Sequence, residues 1–481
     1  GSLLWLVPDH VCTTVNMHAE ALYVRTDSIV GSAKIQARGH RPWLALGALA
    51  LAVAAPSAAC QPITTGIEVQ LILPADDTDL QRTNNASVVL EPDGFTRSVV
   101  TDGLDFLLSF DVPPDATVRT LAVFLADDDT LLAWGRTPPF SYGGATGGLA
   151  LLMARPGVLT PLDLGFSEAD ALALAAPVSD VGVLVMTQDG GGIFVDAYQL
   201  TLVTTASLDD PPAADDGMLV GAGDGGVVRV AWRDGLAAWR FDALDNSWTS
   251  LDLDGDLQAR PGAGAWHDIE SDTLWIVGGG EADDVLELPL LGTDARTVTA
   301  VEGLALDGPR REATATMLDG HLVVVGGDDP QLPLAWRADA SEGAGEPMAW
   351  TASGCEQSAD SPIRVLCLGG QRDGASTADA IELSIDTGAL TAEVRTALLP
   401  APIGDPQLFV DDRALYVEGD GRWVRIDRSD GTVTEPPGPA PRGTGGSTAP
   451  LPSGATLMVG GRDLDDAALE QWLVFGPDVT P

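Results

Sequence analysis

The chain has 481 residues, enough for two or three domains, and a formal net charge of −44 from 26 basic and 70 acidic side chains. So acidic a surface excludes a nucleic-acid-binding protein and a protein that docks on anionic lipid headgroups. The 55 glycines and 33 prolines favour many short strands joined by turns. The acidic residues are scattered through turns, which favours a role in solubility over cation binding.

Residues 1–61 are predicted to be a leader with a disordered N-terminal extension. The first 29 residues show no periodic pattern. Lys34, Arg38 and Arg41 then precede an apolar run over Trp43–Ala55, and small residues follow. This order is typical of a secretory signal peptide, and the apolar run is too short for a membrane span.

The end of the leader, Ser57-Ala58-Ala59-Cys60, resembles a bacterial lipobox. That resemblance implies that Cys60 is lipidated and becomes the mature N-terminus. Ser57 stands where the motif has an aliphatic residue, so plain cleavage after Ala59 stays open. Gln61, rather than Asp, implies the outer membrane. We therefore expect an exported lipoprotein of the outer membrane or periplasm, with secretion as the alternative.

Residues 62–152 are predicted to form an immunoglobulin-like β-sandwich, because short apolar segments alternate with Pro/Asp/Gly turns. Asp127–Asp129 has the composition of a calcium site, but a hairpin turn is the favoured interpretation. The predicted strands are Gly66–Leu73, Ser87–Leu90, Asp105–Phe110, Arg119–Leu125 and Thr130–Trp134.

Residues 153–481 contain a repeat in which a short apolar run ends at two glycines. Such a run is typical of a strand buried on both faces, and the glycines allow a sharp exit and close approach of another backbone. Successive pairs lie 48, 43 and 91 residues apart, and the last gap holds a degraded copy around Tyr416. A period of about 40–50 residues is that of four-stranded propeller blades. The pairs are Gly278-Gly279, Gly326-Gly327, Gly369-Gly370 and Gly460-Gly461.

The segment Phe241–Trp248 adds an aromatic-Asp step followed by a tryptophan. Together with the glycine pairs, it resembles the kelch family of β-propellers, whose fold galactose oxidase shares. The resemblance covers about two-thirds of the chain and implies an all-β propeller, predicted here with seven blades and with six as the alternative. The predicted blades span 169–208, 217–254, 262–303, 310–354, 355–399, 404–438 and 444–477.

The seventh blade lacks an outer strand of its own. Residues 158–164 are predicted to supply it by pairing with Leu469–Phe475, because closing the ring with a strand from the other end removes a free edge.

No catalytic or metal-binding motif is found, and no cofactor is predicted. His267 and His321 are interpreted as turn histidines. Asp252–Asp256 resembles the start of a calcium loop, but Ala263 stands where the ligating Glu belongs. A copper site like that of galactose oxidase needs more Tyr, Cys and His ligands than the mature chain offers.

Cys355 and Cys367 are twelve residues apart, and a hairpin would place them on adjacent strands. Because export leads to an oxidising compartment, we predict a disulfide, with two buried thiols as the alternative.

These features favour a non-enzymatic cell-envelope lipoprotein that binds a protein or glycan at the mouth of the propeller. Two alternatives stay open: a carbohydrate-active enzyme using dispersed carboxylates, and a purely structural envelope component.

Overall fold

Among the residues that the computed structural model describes, the regular structure is β-strand apart from one 3-10 turn, Asp79–Arg82. The described part of the chain contains no helix long and apolar enough to cross a membrane. The chain divides into two compact units, of which the second comprises Gln70–Leu108, Arg119–Phe140 and Ala150–Pro481. The structure describes residues 20–25, 28–34, 69–74, 78–104, 117–141, 149–162, 164, 170–179, 181–209, 212, 217–243, 245–255, 257–269, 271–291, 296–331, 333–337, 340–343, 348–351, 354–357, 364–386, 389–436, 445–463, 465–469 and 472–479.

Within the predicted leader, the structure describes an antiparallel hairpin of β1 (Glu20–Arg25) and β2 (Ser28–Lys34). The apolar run and Cys60 lie outside the described residues. Lipidation at Cys60 therefore stays a prediction.

The next block contains a four-stranded antiparallel sheet in the order β5-β4-β6-β7 and a two-stranded pairing of β3 with β8. Strand β4 buries alternate residues, which is typical of a sheet with one face on a core. The immunoglobulin-like topology stays a prediction, and the predicted strand Asp105–Phe110 lies outside the described residues. The strands are β3 (Val69–Ile72), β4 (Asn85–Glu91), β5 (Phe95–Val100), β6 (Thr120–Asp127), β7 (Thr130–Arg136), β8 (Leu149–Leu152) and β9 (Val158–Leu162).

Among the described residues, seven sheets then follow one another along the chain and are named here sheets 1 to 7; their strand pairings are antiparallel except for that of β18 with β22 in sheet 3. Sheet 1 contains β10 (Leu174–Val178), β11 (Gly182–Met186), β12 (Gly192–Asp196) and β13 (Leu202–Thr205). Sheet 2 contains β14 (Gly217–Gly221), β15 (Val227–Ala231), β16 (Ala237–Asp242) and β17 (Ser247–Ser250). Sheet 3 contains β18 (Leu253–Gly255), β19 (Gly264–Asp268), β20 (Thr273–Val277), β21 (Asp284–Pro289) and β22 (Arg296–Ala305).

Sheet 4 contains β23 (Thr314–Leu318), β24 (His321–Val325), β26 (Leu334–Arg337) and β27 (Ala340–Gly343), with β25 (Gly327–Gln331) between them in the chain. Beyond it lie β28 (Met348–Thr351), β29 (Gly354–Gln357), β30 (Arg364–Leu368), β31 (Gln371–Arg372), β32 (Ala375–Ser376), β33 (Ala380–Asp386) and β34 (Ala389–Arg395). Sheet 5 is β29-β30-β33-β34, and β25-β28-β31-β32 form a small separate sheet that the repeat did not predict.

Sheet 6 contains β35 (Gln407–Val410), β36 (Ala414–Gly419), β37 (Arg422–Asp427) and β38 (Val433–Thr434). Sheet 7 contains β39 (Ser447–Pro450), β40 (Thr456–Val459) and β41 (Trp472–Gly476), and its fourth strand is β9.

The first and the last of these sheets lie side by side, which closes the series. The first strand of sheet 1, β10, contacts both β14 of sheet 2 and β39 of sheet 7. One apolar cluster joins Val183 and Val185 of sheet 1 to Leu457 and Val459 of sheet 7. Burying each such side chain contributes about 1.5–3 kcal/mol. Four-stranded sheets around a common axis are the arrangement of a β-propeller.

Strand β9 pairs with β41, as the sequence predicted for 158–164 and Leu469–Phe475. In the antiparallel register Leu159 lies opposite Phe475 and Pro161 opposite Leu473. Pro161 has no N–H to donate, and it lies on the edge strand of its sheet, where proline is tolerated. The indole N–H of Trp134 in β7 donates to the carbonyl of Pro477, just beyond β41.

Each glycine pair directly follows the second strand of its blade. There it lies next to the residues that precede the first strand of the next sheet. The first glycine of every pair has a positive φ and lies against the carbonyl of the residue four positions before the next sheet's first strand. A Cβ atom at the first three of these glycines would collide with that carbonyl, and one at the fourth would lie 3.0 Å from it. The glycines and the residues they meet are Gly278 and Arg310, Gly326 and Trp350, Gly369 and Ile403, and Gly460 and Asp170. We call this edge of the ring the glycine-pair end.

Candidate functional site

The histidines singled out in the sequence lie in strands, His267 in β19 and His321 at the start of β24, so their interpretation as turn histidines is wrong. His267 Nε2 lies 3.0 Å from the Asp272 carboxylate, whose other oxygen accepts the Gly223 N–H of the neighbouring sheet at 2.8 Å. His321 Nδ1 lies 2.9 Å from the Asp319 carbonyl, within one turn. Among the residues that the structure describes, no three His, Cys, Asp or Glu are grouped as metal ligands.

The two acidic segments that resemble calcium sites are parts of strands and turns. Asn84 holds the β6–β7 hairpin turn, because its side-chain amide donates to Asp127 and Asp128 at 3.0 and 2.9 Å. Strand β18, inside Asp252–Asp256, pairs in parallel with β22 of sheet 3. The sequence had placed that segment at the end of the second blade.

Cys355 and Cys367 form a disulfide between directly opposed positions of β29 and β30. The bond joins the first two strands of sheet 5. Cys367 is fully buried, so the disulfide lies in the scaffold.

Buried side-chain donors reinforce the glycine-pair end from within. In sheets 3, 4 and 5, the residue four positions before the first blade strand has a buried side chain. That side chain donates a hydrogen bond to the carbonyl of the first glycine of the pair in its own sheet. Burial lowers the pKa of Arg310, although an ion pair with Asp307 at 2.6 Å opposes the shift. These side chains serve the scaffold. The pairs are Arg260 with Gly278, Arg310 with Gly326, and Trp350 with Gly369.

Two carboxylates lie at the glycine-pair end of sheet 6. Asp405 accepts the Gly445 N–H at 2.7 Å, and Asp420 accepts the Gly404 N–H at 2.5 Å. Burial raises the pKa of Asp405, the Gly445 hydrogen bond opposes that shift, and the negative charge of Asp420 adds to it. A raised pKa beside a second carboxylate is an arrangement that acid–base catalysis uses.

A cleft of about 350 Å³ opens at sheet 2, beside the turn between β15 and β16. Buried Leu236 and half-buried Trp239 and Pro212 are among the residues that line it. Arg233 and Asp234 are exposed at its rim.

The cleft lies at the glycine-pair end. Trp232 is the first residue after the second strand of sheet 2, the position that Gly278 occupies in sheet 3. Its carbonyl accepts the N–H of Arg260, four positions before β19, at 2.7 Å. Sheet 2 therefore contacts the next sheet at the same place through a different backbone hydrogen bond, and it carries Trp232-Arg233-Asp234 where sheets 3, 4, 5 and 7 carry a glycine pair.

The sequence did not predict this cleft. The available signal was the missing glycine pair: two apolar strands of the repeat are joined by a turn that carries an aromatic residue and both charges. The wall from Pro212 could not be found in that way, because it comes from the connection before β14.

No protein-family model matches the chain, and no curated protein matches it in sequence. Among solved structures, the chain is similar to a copper-bound fungal alcohol oxidase, with 10% identity, a TM-score of 0.37, and coverage of 74% of this chain and 72% of that one. A structure of YjhT has 11% identity and a TM-score of 0.38, with 66% and 97% covered. The β-propeller domain of Myceliophteria thermophila Cps50 (Swd1) has 11% identity and a TM-score of 0.42, with 66% and 99% covered. At this level of similarity, what these proteins do says nothing about this chain.

Proposed function

We propose that the protein is a cell-envelope lipoprotein whose seven-bladed propeller binds a protein or glycan partner at the glycine-pair end, without catalysing a reaction. Export and the lipid anchor rest on the leader sequence and on Cys60. The seven blades rest on sheets 1 to 7 and on the pairing of β9 with β41.

The cleft at sheet 2 is the observation that carries the binding function. It combines apolar walls, an aromatic side chain and charged groups of both signs on a turn held by a rigid sheet. Binding sites are typically such concave, largely apolar surfaces with a few polar groups, carried by loops on a rigid scaffold.

Affinity capture from envelope extracts of the source cells tests the proposal. The wild-type chain should retain a specific protein or polysaccharide, and the Arg233→Ala/Asp234→Asn double variant should retain less. A matched control is Arg462→Ala/Asp466→Asn, a surface pair on a turn of sheet 7. Retention of nothing specific by the wild type would contradict the binding function.

The anchor is tested separately. Cys60→Ser should move the protein from the membrane fraction to the soluble fraction, because acyl chains would be its link to the bilayer. Unchanged partition with membranes after this substitution would contradict lipidation.

A carbohydrate-active enzyme is the second candidate, favoured by the raised pKa of Asp405 beside Asp420. In that case Asp405 would act as the general acid. Incubation with oligosaccharides should then release shorter sugars, and both Asp405→Asn and Asp420→Asn should abolish the release. Intact oligosaccharides after incubation with the wild type would remove this candidate.

A further inference from the structure

We propose that the cleft at sheet 2 is a subsite for one ring of a neutral glycan, stacked on Trp239 and hydrogen-bonded by Arg233 and Asp234. The inference rests on the proposed binding function and names the chemical class of the partner at this cleft.

Trp239 supplies a fixed aromatic wall. It lies in β16, packs against the apolar cluster between sheets 1 and 2, and is a half-buried residue that lines the cleft. Among the described residues, no hydrogen-bond partner accepts its indole N–H. The face of an indole ring is electron-rich and attracts the positive edge of C–H bonds, which the apolar face of a pyranose ring presents.

Arg233 and Asp234 supply complementary polar groups next to that wall. They are consecutive, exposed and on the same turn, so their groups reach the same rim of the cleft. A guanidinium only donates hydrogen bonds and an ionised carboxylate only accepts them. Neighbouring sugar hydroxyls do both, so one ring edge accepts a hydrogen bond from Arg233 and donates one to Asp234 while its apolar face covers Trp239.

The charge of the protein selects a neutral glycan. The charges of Arg233 and Asp234 cancel at the rim, whereas the whole chain carries a net charge of −44. The field of so acidic a protein repels polyanions such as uronic acid polymers.

An extended peptide is disfavoured as the occupant. Peptides commonly bind by adding a strand to an open sheet edge. Strands β15 and β16, which carry the cleft, are the two inner strands of sheet 2, and each already pairs on both sides. The cleft therefore offers side chains and no open backbone edge.

Calorimetric titration of the purified protein with cellohexaose, xylohexaose, maltohexaose and chitohexaose tests the inference, with hexagalacturonate as the anionic probe. At least one neutral probe should bind, and hexagalacturonate should bind at least tenfold more weakly. Trp239→Ala should weaken the best neutral probe about tenfold or more, whereas Trp239→Phe should retain part of the affinity because it keeps an aromatic face.

Two further variants guard against a folding artefact. Arg233→Ala/Asp234→Asn changes exposed side chains, so its fold should persist while its affinity drops several-fold. Trp248→Phe changes a second half-buried tryptophan of sheet 2, whose N–H donates to Ala206 at 3.0 Å and which does not line the cleft. Its affinity should match the wild type.

The inference is overturned if no neutral probe binds, if hexagalacturonate binds as tightly as the best neutral probe, or if the rim double variant keeps full affinity. Envelope capture separates this failure from failure of the proposed function. A captured protein lost in the rim variant, without sugar binding, would leave the binding function standing and replace the glycan by a polypeptide. Capture of nothing together with no sugar binding would remove both proposals.

Discussion

One carbonyl oxygen explains why the first residue of each pair is glycine. Gly326 has a φ of +69°, and a Cβ atom added there would collide with the Trp350 carbonyl. The collision is with backbone, so it cannot be relieved by rotating a side chain. We therefore expect Gly326→Ala to destabilise the protein by more than about 2 kcal/mol, because the conformational cost and the overlap add.

Gly320 is the matched control for this prediction. It lies in the same sheet with a φ of +72°, but a Cβ atom there would have nothing within 4 Å. Gly320→Ala should cost only about 1 kcal/mol, the cost of a left-handed backbone. Urea unfolding measures both variants. Equal losses of unfolding free energy in the two variants would mean that the positive φ alone explains why position 326 is glycine.

The pH dependence of stability that we expect from Asp405 is opposite in sign to that of a carboxylate whose pKa is lowered by folding. Burial raises its pKa in the folded protein, so the folded state prefers the protonated form. Its contribution to stability is fully present below its unfolded pKa of about 3.9 and is lost as the pH rises through the folded value. Asp405→Asn keeps an acceptor for Gly445 and should raise the urea midpoint at about pH 7, with no gain at about pH 3.

Asp427 is the control for this prediction, because its pKa is shifted in the opposite direction. Hydrogen bonds from the Ser429 side chain and backbone lower the pKa of Asp427 to about 2. Its contribution is present above the unfolded pKa and is lost as the pH falls through about 2. Asp427→Asn should therefore lower the midpoint at about pH 7. A loss of stability in Asp405→Asn at neutral pH would contradict the role assigned to burial.

At the scale of single residues, the sequence predicted the glycine pairs. It did not predict which residues of the next sheet they contact. The apolar run and the pair are local, so Gly278 and Gly326 are visible in one strand and its exit. Arg310 and Trp350 belong to the next sheet, and no local pattern connects them to these glycines. The same limit applies to the cleft, where Pro212 and Trp239 meet only after sheet 2 has folded.

At the scale of elements, the closing strand is the contact of longest range. Leu159 of β9 is buried beside Phe475, in a cluster with Tyr416 and Trp423 of sheet 6. Leu159→Asp would bury a charge there, at a cost of at least about 2 kcal/mol. We expect faster amide exchange across Thr456–Val459 and Trp472–Gly476 than across sheet 4.

Val203→Asp provides the control for the closing strand. Val203 lies on β13, the corresponding outer strand of sheet 1, and is 50% exposed. A charge there stays in water, so exchange should match the wild type. Uniform acceleration in all sheets after Leu159→Asp would show that the ring unfolds as one unit and that β9 does not protect sheet 7 in particular.

The sequence predicted this long-range pairing because two incomplete patterns complemented each other. The last repeat lacked an outer strand, and an unassigned apolar strand preceded the first repeat. It did not predict the small sheet of β25, β28, β31 and β32, because those strands are two to five residues long and bridge sheets 4 and 5. Unlike the strands of similar length that the repeat predicted, these four have no apolar run that ends at glycine.

At the scale of the whole molecule, electrostatic repulsion opposes the ion pairs. The chain has 70 acidic and 26 basic side chains. Exposed pairs such as Arg422 with Glu435 at 2.8 Å are each worth at most about 1 kcal/mol. Because acids outnumber bases by 44, the compact state suffers net self-repulsion. Salt should therefore stabilise the protein.

We expect the thermal midpoint at about pH 7 to rise by several degrees between roughly 20 mM and 500 mM NaCl, as the Debye length shortens from about 20 Å to about 4 Å. The increase should vanish as the buffer approaches pH 4.1, the isoelectric point, where the net charge is gone. CaCl₂ at equal ionic strength should have the same effect as NaCl if screening alone acts. A midpoint that falls with NaCl would show that the ion pairs dominate. A much larger rise with CaCl₂ would show specific calcium binding by the acidic turns, against the interpretation of these turns as solvated surface.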